Sequence, residues 1–88
     1  MLPILWTEES EEHIARHNVT PAQVEELVYS RPRWVTPGRD DTTLIFGVTD
    51  GGAHLVVVLA DAMDGSWYVV TARPMTGSER KTFDRKGR

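Results

Sequence analysis

Cysteine is absent from the 88 residues, so disulfide frameworks, thiolate zinc sites and thiol nucleophiles are excluded. Long apolar runs are scarce as well. Leu55-Val56-Val57-Val58-Leu59-Ala60 is the longest; it falls far short of the roughly 20 residues a membrane-spanning helix needs and reads instead as a buried strand. The opening Met1-Leu2-Pro3-Ile4-Leu5-Trp6 has no basic segment and no small-residue cleavage site, so no signal peptide is expected and the cytoplasm is the expected location. Neither an internal repeat nor a low-complexity linker divides the chain, and no metal or cofactor motif is present. These absences leave one soluble domain over residues 1–88 with one modest core.

What charge there is lies unevenly. The net value is −3, which by itself argues mildly against nucleic acid, but the distribution says more than the sum. Residues 1–30 hold six acids against one arginine, whereas residues 61–88 hold Arg73, Arg80, Lys81, Arg85, Lys86 and Arg88 against Asp61, Asp64, Glu79 and Asp84. The basic end suits phosphates or an acidic partner, or is simply a solvated tail.

Periodicity and start signals predict an α+β fold in the order β-α-α-β-β-β-β-α. Ile4-Leu5-Trp6-Thr7 reads as a brief strand, and Thr7 caps a helix over Glu8 to Asn18 whose acids and bases are ordered to suit the helix dipole. Thr20, Pro21 and Gln23 form a second start signal, with Val24, Leu27 and Val28 on one helical face and Arg31-Pro32 as the stop. Four strands follow: Trp34 to Thr36, Thr42 to Val48, Ala53 to Ala60 and Ser66 to Arg73, divided by Pro37-Gly38, Asp50-Gly51-Gly52 and a turn over Asp61 to Gly65. The third shows little alternation, as a central strand covered on both faces does. Strict alternation along the last puts Trp67, Val69, Thr71 and Arg73 on one face and Tyr68, Val70 and Ala72 on the other. Thr76-Gly77-Ser78-Glu79 is a capping box opening a last helix of about ten residues anchored by Phe83 alone.

An enzyme with these materials has to rely on charge stabilisation and proton transfer by ordinary side chains. RNA cleavage through the 2′-hydroxyl fits, because the nucleophile is already in the substrate. Arg73 is the best cation for the phosphate, at a strand end where the next helix opens, and Arg80 lies one turn into that helix. Glu79 is a candidate base or orienting group, although its position in a capping box is already an adequate structural explanation. His54 has the chemistry for acid-base work near neutral pH and also needs no special explanation beside a turn. His13 and His17 are four residues apart, yet no third ligand is spaced to join them, so no metal site is expected. A half-buried structural place at the helix end is the alternative for His17. The three tryptophans read as core, with Trp34 the one that tempts a base-stacking role.

Several segments together resemble the BrnT-type toxins: Trp6; His13-Ile14-Ala15-Arg16-His17-Asn18-Val19-Thr20 with Val24 and Glu25; Leu55-Val56-Val57-Val58; and Thr71-Ala72-Arg73-Pro74-Met75-Thr76 with Glu79-Arg80. The match spans almost the whole chain, and its order and spacing are more specific than any single piece. The resemblance implies a RelE-like fold with a small, mainly antiparallel sheet packed by helices. It also implies a toxin of a type II toxin-antitoxin system, a metal-independent endoribonuclease without cofactor that arrests translation by cutting RNA, free or on the ribosome. Its implied partner is a DNA-binding antitoxin encoded beside it, with the toxin as co-repressor. Arg73, Glu79 and Arg80 match the family's terminal motif, and Arg16 and His17 its helix-one pair. The chain departs from the pattern at Asn18, where glycine is usual, at His54, where arginine is common, and at Phe83, where tyrosine is common. Two other readings stay open: a non-catalytic interaction module that binds an antitoxin, and a gyrase inhibitor like those of the related ParE branch. On any of them, the weakly anchored last helix is a place where an antitoxin can mask Arg73 and Arg80 together.

Overall fold

The computed structural model describes residues 3–87; Met1, Leu2 and Arg88 lie outside the described residues, and with them the start of the opening run and the last base of the basic end. The chain runs β1 (Ile4–Leu5), α1 (Glu8–Ala15), α2 (Pro21–Tyr29), β2 (Arg33–Pro37), β3 (Thr43–Val48), β4 (His54–Asp61), β5 (Trp67–Pro74) and α3 (Gly77–Lys86). This is the element order that periodicity predicts. The strands form one mixed sheet in the order β1-β5-β4-β3-β2. β1 runs parallel to β5, and every other pairing is antiparallel. No helix of the described residues is long and apolar enough to cross a membrane.

Each helix opens on a reciprocal cap that satisfies backbone N–H groups otherwise left without partners. Thr7 pairs with Ser10, Thr20 with Gln23 and Thr76 with Glu79. α1 stops at Ala15, three residues before the expected end. There Asn18 takes a left-handed conformation with φ of 60°, and the N–H groups of Asn18 and Val19 donate to the carbonyls of Ala15 and Ile14. That is the bond pair of a Schellman turn, which reverses the chain and buries Val19.

β4 lies at the centre of the sheet and divides the core by alternation. Leu55, Val57 and Leu59 face α1 and α2 and join Ile14, Val24, Leu27, Val28, Ile45 and Val69 in one buried cluster. Val56 faces the other way, toward Phe46 and Phe83 of α3, with Trp34, Leu44, Val48 and Met75 around them. Gly47 lets α2 approach β3: a Cβ there would lie 2.8 Å from Cγ of Leu27, closer than packed carbons tolerate.

One expectation about β5 is corrected. Opposite β4, Val58 pairs with Thr71 but Leu59 pairs with Val69, so Val70 is an extra residue, a β-bulge. The bulge resets the alternation beyond it. Val69 and Ala72 are therefore both buried on the α1/α2 side, while Arg73, directly opposite Val56, turns to the α3 side. Arg73 and Val69 do not share a face. The bulge carbonyl finds a partner outside the ladder: Nδ1 of His13 lies 3.2 Å from the oxygen of Val70, a contact that requires the proton on Nδ1.

Candidate functional site

The junction of β5 and α3 is built by local chemistry. Pro74 ends the strand, Thr76 caps the helix, and the capping box pulls the side chain of Glu79 back over the helix start. There the Glu79 carboxylate accepts the Thr76 backbone N–H at 2.9 Å. It also meets Arg73 end-on: Nη1 donates to Oε1 at 2.8 Å and Nη2 to Oε2 at 2.9 Å. Nη1 further donates to the Pro74 carbonyl at 3.1 Å. Such a paired, charge-assisted contact fixes the plane of the guanidinium as well as its position.

The contact sets the protonation of both groups. The hydrogen bond from Arg73 pulls the Glu79 carboxyl down to about 2, against the opposing effect of burial and with help from the Thr76 N–H. The same hydrogen bond raises Arg73 above its ordinary value. Glu79 is thus ionised throughout the neutral range and is a poor proton acceptor. Its place is to hold Arg73.

A guanidinium has a second, side-on pair of donors, Nε–H and the outer Nη2–H. Among the described residues neither has a hydrogen-bond acceptor, and the Arg73 side chain is 37% exposed. The arginine therefore presents a fork of fixed orientation to solvent, of the geometry that two oxygens of a phosphate or carboxylate fit.

His54 begins β4 two residues before Val56, whose cross-strand partner is Arg73, so the two share the α3 face of the sheet. The His54 ring meets Phe83 edge-on at 5.9 Å between centroids, and its carbonyl accepts the N–H of Met75 at 3.0 Å. Arg80 is exposed in the first turn of α3. The structure thus pairs Arg73 with Glu79 and puts His54 on the same sheet face, while Arg80 follows Glu79 on α3 with its side chain exposed.

His17 does not join them. It is exposed in the turn after α1, on the opposite side of the sheet, and it is neither half-buried nor helical. The Schellman turn that ends α1 early leaves it in the turn rather than in the half-buried helix-end place expected of it. His13, four residues before it, is engaged with the bulge at Val70. Among the described residues no three His, Asp or Glu side chains come together to hold a metal ion. Trp34 stacks on Phe46 at 4.7 Å with the Lys86 ammonium 5.5 Å from its ring centre, which makes it the far end of the α3 contact. The residue that sequence reasoning passed over is Val70, whose bulge aims Arg73; no local signal marks it.

No family model, no curated protein and no solved structure matches the chain.

Proposed function

We propose that the protein is a RelE-like ribonuclease toxin of the BrnT type, and that Arg73 is the group on which RNA cleavage depends. The observation that carries this reading is the end-on Arg73–Glu79 pair, which leaves the side-on edge of the guanidinium open to solvent on the sheet face that also carries His54. The chemistry it suits is attack of a ribose 2′-oxygen on the adjacent phosphorus. The 2′-hydroxyl loses its proton, the bond to the 5′-oxygen of the next nucleotide breaks, and that oxygen leaves with a proton. The products are a 2′,3′-cyclic phosphate and a free 5′-hydroxyl. Arg73 stabilises the charge that builds on the non-bridging oxygens, which is where a fixed cation has most effect. His54 moves the protons, because Glu79 is held ionised by Arg73. Arg80 adds positive charge where the Arg73–Glu79 pair is itself neutral. The partner under this reading is an antitoxin that covers the α3 face.

The neutrality of that pair weakens it as a catalytic cation and so favours a second reading, a surface that binds a partner through the free edge of Arg73 without catalysis. Inducible expression in a bacterial host separates the two. Growth and incorporation of labelled amino acid should collapse with the wild type and continue with Arg73→Ala at equal soluble expression. Arrest by Arg73→Ala equal to wild type would remove Arg73 from the site. No arrest by folded wild-type protein would favour the binding module, and DNA damage preceding loss of protein synthesis would point to gyrase.

A further inference from the structure

A groove of about 490 Å³ lies between α1 and the start of α2, on the side of the sheet away from Arg73. Glu8, Glu11, Glu12 and Ala15 recur at helical spacing and form one stripe of α1 along it. Ala15, Val19 and Pro21 supply an apolar floor and the three glutamates an acidic rim. The other stripe of α1, with Ser10 and Ile14, is buried against the sheet. Among the described residues none of the three glutamates has an ion-pair partner.

An apolar floor under a carboxylate rim fits arginine and lysine side chains, whose aliphatic stems lie on apolar surface while the charged ends stay at the edge. The rim repels phosphates, so the groove does not suit RNA. A second copy of the chain is a poor fit as well. Its basic helix is α3, whose one large apolar side chain, Phe83, is already buried, leaving that helix nothing apolar to seat on the floor. We propose that the α1/α2 groove docks a basic amphipathic segment of a different protein, laid as a helix along the glutamate stripe. This docking does not rest on the ribonuclease reading, since neither Arg73 nor Arg80 takes part in it.

The test uses the full chain and a short helix-forming peptide with leucine on one face and arginine on the other. A matched peptide carrying glutamate in place of arginine is the control. Titration should shift backbone amide resonances at and around residues 8–21 with the arginine peptide only. Glu12→Lys should weaken binding roughly five- to tenfold, as reversal of a rim charge does, and Ala15→Trp should abolish it by filling the groove. Glu9→Lys, on the same helix but off the groove, should bind like wild type. Circular dichroism confirms that each variant is folded. Three results would overturn the proposal: no binding, equal weakening by Glu9→Lys and Glu12→Lys, which would mean diffuse acidity, or concentration-dependent self-association of the unliganded chain that Glu12→Lys abolishes, which would make a second copy the occupant.

Discussion

The two faces of the sheet are held by different amounts of core. On one, α1 and α2 place Ile14, Val24, Leu27 and Val28 on Leu55, Val57, Leu59 and Val69, all essentially inaccessible. On the other, α3 contributes Phe83 alone, with Met75 just before it. The candidate site stands on the second face. Burial therefore stabilises the fold mainly on one side and leaves the other to carry exposed charge on an element with one buried anchor, in keeping with the low local stability common at binding elements.

Truncating the heavier face should have the largest effect. Leu27→Ala removes a fully buried side chain that meets Gly47 across the α2–β3 contact, and it should lower global stability by about 3 kcal/mol in urea unfolding. A change below about 1 kcal/mol would mean that this cluster is not the main core. Phe83→Ala should act locally. Amide exchange along α3 should quicken sharply while β3 and β4 stay protected, with a global loss smaller than that of Leu27→Ala. Equal global losses would erase the distinction between the faces.

Acid sharpens the comparison further. Glu79 is held at about 2 in the folded chain against an ordinary 4.5, so the pair's contribution is present above the ordinary carboxylate range and is lost as pH falls from about 4.5 through about 2. In that window α3 should loosen in the wild type, read by amide exchange or by the Phe83 resonances, while Glu79→Gln should lack the transition. The smallest effect belongs to the cation over Trp34: Lys86→Ala should lower stability by about 0.5 kcal/mol, and an effect several times larger would mean that the far end of α3 is anchored there.

What the sequence discloses is what neighbours along the chain decide. The capping boxes at Thr20 and Thr76 follow from hydroxyl and carboxamide or carboxylate groups three residues apart, so both helix starts are legible. The unbroken apolar run from Leu55 marks β4 as central for the same reason. The bulge at Val70 is different, because it exists only in the pairing of β5 with β4, and alternation alone puts Arg73 on the wrong face. The place of His17 fails differently: the helix period continues through it, but the left-handed turn at Asn18 ends α1 first. The Arg73–Glu79 contact lies between. One of its residues belongs to the capping box and the other ends the strand before it, so both are legible as candidates, yet which of them holds the other emerges only from the end-on geometry.

The central claim is that RNA cleavage depends on a guanidinium held by Glu79 with its side-on edge free. The most direct measurement is cleavage of an RNA by the purified chain, with and without ribosomes, in the presence of a chelator, comparing wild type with Arg73→Lys. Lysine keeps the charge and loses the fork. The account predicts that the wild type cleaves and that the variant, equally folded, is slower by roughly 100-fold or more; equal rates, or no cleavage by the wild type under either condition, would contradict it.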